Sequence, residues 1–535
     1  MKSHCYPFRQ IPHSSKLFLE YLDFSPSAQN FYPRSPYFLE WAKEEAARVR
    51  YPAERRVKVA RILDRQNKSW GAGDKALQNI ERLHSGACAV VTGQQVGLFG
   101  GPVFSIYKAL SAVRLAQEAQ TLGVDCIPIF WLATEDHDLA EVNQVRLPGT
   151  DGRLETLMSG VAETADTPVG AIEFGSEISA AVSHATELLG DSHCMRLLGE
   201  CYRRGETFGS AFAKLFTNLF SELGVVLIDG ADDELDEIAA PLYRSAIERA
   251  SDIRQALQQR GTQLDAAGYH EQVKVADSST LLFMLREGLR IPLQQSKEGE
   301  FVAGQQAFSR EQLIQMTTSS PQSFSPNVLL RPVVQDYLLP SLAYVGGPAE
   351  VAYFAQAGVV YQNLLARTTP ALPRFSATIV EEKTRALLEK NRLNASDVFQ
   401  GPEALRDRIG NLRLPANLQN SFEHATAAVQ SSMKAVREAI AQLDKTLIES
   451  AEHAESKMVY QITNLRSRAS RAELRQSEVI GRHADALSNA LYPDRTLQER
   501  EYGGIYFLAK YGKEWMNSLL ENVRPDCLNH QIIEI

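Results

Sequence analysis

The chain has 535 residues, 44% of them hydrophobic, with six cysteines and a formal net charge of −9. That length allows more than one buried core, while the acidic balance excludes the concentrated positive field that a nucleic-acid partner requires. No apolar run reaches the ~20 residues of a membrane span, His4, Pro7, Arg9 and Gln10 break up any signal-peptide core, and cysteines without a C-x-x-C pair suggest neither a zinc knuckle nor a disulfide framework but reduced thiols in a cytoplasmic protein.

Helices from Ser35-Pro36 to about Val49, from about Glu54 to Gln66, and ending near Leu83 read as scaffold leading to a strand at Cys88. Cys88 to Val91 is a short apolar run of the kind a sheet buries on both faces, and Gly93 stops it. The stretch Thr92-Gly93-Gln94-Gln95, with Gly97-Leu98-Phe99-Gly100-Gly101-Pro102, then turns sharply on four glycines, and Pro102 suits the first position of a helix running to Leu122. Bare amides at a helix N-terminus attract anions; a tight strand-to-helix turn without a ligand is an equally good reading of glycine content alone.

Cys126 to Ala133 supplies the second strand of a βαβ unit and runs into Thr134-Glu135-Asp136-His137-Asp138 at the carboxyl end, where open α/β sheets bind ligands. In an extended segment Glu135 and His137 share one face and Asp136 and Asp138 the other. Either pair sets a base beside a group that tunes it, for acid–base chemistry or a divalent ion, although no metal site is assigned. The alternative is an acidic helix-cap cluster.

A first insertion is expected near 150–205, a third strand at Val225 to Asp229, and a second insertion near 260–320. Beyond them come Ser325-Pro326-Asn327, Arg331-Pro332-Val333 with Gln335-Asp336, and Tyr344-Val345-Gly346-Gly347-Pro348-Ala349-Glu350. Here strand, Gly-Gly-Pro and helix recur, with Glu350 placed to reach back to free amides. Arg331 offers a planar fork for carboxylate or phosphate, or a structural ion pair with Asp336 or Glu350. Val359 to Tyr361 and Pro373-Arg374 read as closing the sheet.

From about Phe375 the composition turns to charged, alanine-rich helix. Phe422, Val429, Val436 and Leu443 recur every seven residues, Thr426, Met433, Ile440 and Leu447 follow each by four, and Ala454 keeps the seven-residue step after Leu447, a coiled-coil seam that continues at Met458, Ile462 and Leu465 after a phase slip. Such a seam can pack within one chain or between two. The organisation expected is a core over 1–375, a helical coiled-coil domain over 376–490 with heptads about 422–465, and a tail over 491–535 that docks back on the core.

Taken in order, these motifs, with Phe130-Trp131 and the late Tyr492-Pro493 and Leu497-Gln498-Glu499-Arg500, closely resemble the bacillithiol biosynthesis cysteine-adding enzymes, the BshC family of cysteine ligases. The resemblance implies an α/β, Rossmann-like core of the nucleotidyl transferase and class I synthetase type with inserted connecting segments, and a C-terminal α-helical coiled coil that makes a homodimer. It implies a ligase that joins the carboxyl group of cysteine to the amine of glucosaminyl malate, with small-molecule substrates and no membrane partner. The Lys-Met-Ser-Lys-Ser signature of such synthetases is absent. On this reading a nucleotide such as ATP sits at Gly93 to Pro102, and His137 or a carboxylate of Glu135, Asp136 and Asp138 takes the amine proton. Arg331 and the helix start at Pro348 receive the malyl carboxylates. A non-catalytic coiled-coil scaffold of the same pathway is the alternative.

Overall fold

In the computed structural model, which describes residues 1–162, 166–296, 299–476 and 478–535, the apolar runs become a five-stranded parallel sheet. Its strands are β1 (Cys88–Gln94), β2 (Cys126–Leu132), β3 (Val226–Asp229), β4 (Ser341–Gly346) and β5 (Ala371–Pro373), in the order β5-β4-β1-β2-β3. Val90, Val91, Ile127, Ile129 and Val345 are fully buried, because helices cover both faces of the sheet. Chain order runs one way from β1 to β3 and the other way to β4 and β5, so the topological switch lies between β1 and β4. Ligands of such sheets bind at that crevice, beyond the carboxyl ends of the strands.

Each strand beside the switch feeds a helix: α1 (Phe104–Thr121) follows β1 and α2 (Pro348–Leu364) follows β4. Pro348 does occupy the first helical position, with Gly347 as N-cap and Glu350 closing a capping box. Pro102 does not: α1 begins two residues later, and Pro102 instead bridges Gly503. Val359 to Tyr361, expected as strand, lies within α2, where the capped start and an apolar environment on all sides override β-branching. A hairpin of Gln144–Pro148 with Leu154–Met158 straddles the start of the segment expected as the first insertion, and Ser279–Arg286 and Leu289–Gln295 of the second segment form an antiparallel sheet that Phe324–Pro326 joins from beyond it.

The chain divides into two compact units, one of residues 5–377 with 499–531 and one of 1–4, 378–498 and 532–535. The sheet and both insertions belong to the first. Within that unit Cys5 and Cys527 form a disulfide across a sequence separation of 522, against the expectation of wholly reduced thiols. Cysteines so far apart leave no local spacing from which a pairing can be read. The second unit is built on helices, chiefly α3 (Ala416–Leu443) and α4 (Ile448–Gln476). The heptad seam is not one continuous helix: it breaks at Asp444, whose side chain caps a short turn, and the chain reverses. Arg437 pairs with Glu452 and Glu455, and Ser470 reaches back to Asn411, as an antiparallel hairpin requires. Phe422 and Met433 are buried, while Leu443 near the tip is 83% exposed.

Candidate active site

The carboxyl ends of β1 and β4 open onto a cavity of about 500 Å³, within the ~300–1,000 Å³ common for small-molecule sites. From the end of β1 and the residue after it come Gly93, Gln94 and Gln95; from the segment after β2, Ala133, Glu135 and Asp136; and from the start of α2, Gly347 to Glu350. The two glycine bends therefore converge on one hollow. Their amides, however, are largely engaged. Gly97 donates to Gln95 O, Gly100 to Gly97 O and the Tyr202 hydroxyl, Gly101 to Leu98 O and Val103 to Tyr502 O. At the second bend Gly347 N–H donates to Glu350 Oε2 at 2.8 Å. Gly100 and Gly101 lie outside the cavity wall, so the first bend meets the hollow through its Gly93 to Gln95 portion.

Lys108, on α1, joins the two bends. Its Nζ donates to Gly93 O and Gln94 Oε1, each at 2.7 Å, and pairs with Glu350 at 2.5 Å. Burial draws the Lys108 pKa down to about 8, against the pull of Glu350. Burial opposes ionisation of Glu350 as well, but Lys108, the Tyr344 hydroxyl and the Gly347 amide together hold its carboxyl below the usual range.

The acidic cluster does not run as a strand, because β2 ends at Leu132 and a turn follows, so the predicted alternation of faces fails. Glu135 and Asp136 both face the cavity. Glu135 is buried, and that burial, with help from Asp229 and Asp136, lifts its pKa to about 7 against the pull of Arg290 and Arg331. Asp136 accepts from Gln95 Nε2 at 2.7 Å. His137 stands outside the wall, its Nδ1 3.2 Å from Arg290 Nη1. Asp138 caps the helix Leu139–Val142 by accepting from Glu141 N–H, as the cap reading anticipated.

Of the second constellation, Arg331 lines the cavity and hydrogen-bonds the Tyr353 hydroxyl, without a carboxylate within ion-pair distance among the described residues. Its charge is held against burial by Tyr353, Tyr344 and Glu350. Thr92 and Gln335 are buried behind the wall and Asp336 is half-buried there: Thr92 donates to Val345 O at 2.8 Å, and Asp336 accepts from the Tyr361 hydroxyl. Tyr344 and Gly346 support the site from β4. Among the described residues no group of three or more His, Cys, Asp or Glu converges as a metal site would need.

Comparison with known proteins decides the lineage. The model of the bacillithiol biosynthesis BshC N-terminal Rossmann-like domain matches residues 1–375, and that of the BshC C-terminal coiled-coil domain matches 377–535. This chain belongs to the BshC family. A relative from Koribacter versatilis is 46% identical over 99% of both chains, one from Solibacter usitatus 35% identical over 99% of this chain and 100% of its own, and one from Salinibacter ruber 31% identical over 97% and 96%. Each bears the name "Putative cysteine ligase BshC".

Within this BshC chain, five charged residues reach the cavity that sequence reasoning had not placed there: Lys108, Glu141, Arg290, Arg374 and Arg500. Lys108 left a signal, a lysine inside the apolar run Ile106-Tyr107-Lys108-Ala109-Leu110. Arg290 comes from the second insertion and donates to Ser325 Oγ and Pro326 O. Arg374 is tied to the buried Glu499, and Arg500 follows it in the returning tail. No helix among the described residues is long and apolar enough to cross a membrane.

Proposed function

We propose that the cavity joins the carboxyl group of cysteine to the amine of glucosaminyl malate, with Glu135 accepting the amine proton. The observation that carries this reading is a buried carboxyl group poised near neutrality in the same hollow as an arginine with no carboxylate partner among the described residues. An amine attacks only as the free base, and a proton acceptor works best when its pKa lies near the working pH. Arg331 receives a malyl carboxylate in two-toothed geometry. The helix start at Pro348 is a weaker second point, since Glu350 already occupies its first amide.

Amide formation from a free carboxylate is uphill in water, so the cysteine carboxyl reacts as an activated acyl group. The amine nitrogen bonds to the acyl carbon, the activating group leaves with the electron pair of its bond, and the amine proton passes to Glu135. With the amides of Gly97, Gly100 and Gly101 engaged, the phosphate cradle expected there does not fit, and no nucleotide step is routed through it. The hairpin of α3 and α4 then serves to pair two chains, a role supported by the exposed apolar side chains of Val436, Leu443 and Leu447. Purified protein supplied with cysteine, glucosaminyl malate and a panel of nucleotides tests the reading, with bacillithiol detected by mass spectrometry. Product that disappears with Glu135→Gln is expected. No product with any nucleotide would leave the scaffold as the better account.

A further inference from the structure

The cavity has a side lobe of about 250 Å³, which shares Gln94, Gln95, Phe104, Glu141 and Arg500 with the main hollow. It is smaller than the ~300–1,000 Å³ typical of sites for drug-sized ligands. A free amino acid suits it better than a nucleotide or a sugar conjugate.

The charges of the lobe fall into two kinds. Arg146 and Glu501, which line the lobe but not the main hollow, pair with each other. Glu141 and Arg500 have no ion-pair partner among the described residues. Both side chains are exposed to solvent at the rim of the lobe, where packing around the Glu141 carboxyl works against its charge while a hydrogen bond from Gln95 and the field of Arg500 favour it. Arg500 stands over the Phe104 ring, 5.8 Å from its centroid, at the opening between lobe and main cavity. One carboxylate and one guanidinium, neighbours without an ion-pair contact among the described residues, are the complement of a zwitterion. A dianion would be repelled by Glu141, and a simple amine would engage Glu141 alone, without the complementary contact at Arg500. Val142 and Val145 add an apolar wall on which a thiol can rest.

We propose that this side lobe is the cysteine site, Glu141 holding the ammonium and Arg500 the carboxylate, so that the carboxyl carbon lies at the opening onto the main cavity. The identity of the amino acid rests on the ligase reading above; the recognition of a zwitterion rests on the lobe itself. In this arrangement the acyl carbon meets an amine arriving from the Glu135 side, and the ammonium of cysteine, neutralised by Glu141, is kept from competing as a nucleophile.

Calorimetric titration of the full chain without a second substrate tests the assignment, using L-cysteine, 3-mercaptopropionate, which lacks the ammonium, and cysteamine, which lacks the carboxylate. Glu141→Gln and Arg500→Gln should each weaken cysteine binding at least tenfold. Glu141→Gln should leave 3-mercaptopropionate binding unchanged and Arg500→Gln that of cysteamine, and Arg500→Lys should recover part of the loss. Unaltered cysteine affinity in both variants, or losses that fall equally on both truncated probes, would overturn the proposal; a melting temperature equal to that of the wild type guards against misfolding, and Glu141→Asp substitutes if Glu141→Gln fails that control. Glu141-dependent cysteine binding without bacillithiol formation would sink the ligase reading and keep the lobe. Product formation with an unchanged KM for cysteine in both variants would do the reverse.

Discussion

The two glycine bends share a Gly-Gly-Pro sequence and resolve it in opposite ways. At the second, Gly347 takes an ordinary extended conformation with φ −74°, Pro348 starts α2 at once, and Glu350 folds back on the free amide. At the first, the position equivalent to Glu350 is Phe104, which has no acceptor to offer. The chain there coils through positive φ at Phe99, Gly100 and Gly101, consumes its amides internally, and begins α1 late. The repeat thus marks how a strand exits the sheet, whereas a side chain two positions past the proline decides how the helix begins. Charge reaches the hollow by another route, through Lys108 and Glu350, which tie one bend to the other.

The sharpest way to break this comparison is to cut that tie. Lys108→Met should leave the half-buried Glu350 without its cation and cost about 3–5 kcal/mol in urea unfolding; a loss below about 1 kcal/mol would show that the bends are held together by something else. Glu135→Gln probes what the strand ends contribute without the bends. It should lower turnover ~100-fold or more and abolish the fall in wild-type kcat/KM expected as pH drops below about 7. The stability effect has the opposite sense. A carboxyl raised to about 7 in the folded state binds more protons there than when unfolded, so wild-type stability declines from pH 4.5 toward 7. Glu135→Gln should remove that slope and be the more stable protein at pH 8.

Smaller effects separate the bends themselves. Gly101→Ala forces a side chain into the left-handed region at φ +70° and should cost about 1–2 kcal/mol. Gly347→Ala meets nothing closer than 3.5 Å and should cost less than about 1 kcal/mol, its main loss being a poorer N-cap. The smallest change is expected of Leu443→Lys at the hairpin tip. Its unfolding free energy should stay within about 0.5 kcal/mol of wild type, while light scattering after size exclusion reports monomers if the hairpin pairs chains.

Much of the core was legible because two-sided burial writes itself into sequence as continuous apolar strands, and because Pro348 and Glu350 carry a cap signature read at short range. The cavity acids Glu135 and Asp136 were legible as a strand-end cluster, but their sidedness was not: the turn that presents both to one hollow depends on contacts across the sheet. Arg290 and Arg500 were hidden for a plainer reason. They lie hundreds of residues from β1, and nothing local in Gly288-Leu289-Arg290 or in Glu499-Arg500 states which surface the segment will meet. The heptad seam showed its period clearly and its interruption poorly, since Leu443-Asp444-Lys445 preserves the spacing while Asp444 turns the chain around.

The bond between Cys5 and Cys527 closes the backbone from residue 5 to residue 527 into a covalent ring. A single protease cut at the hairpin tip would therefore open the ring without parting it. The nicked protein would migrate as one species on a denaturing gel run without reductant, and as two once dithiothreitol is added.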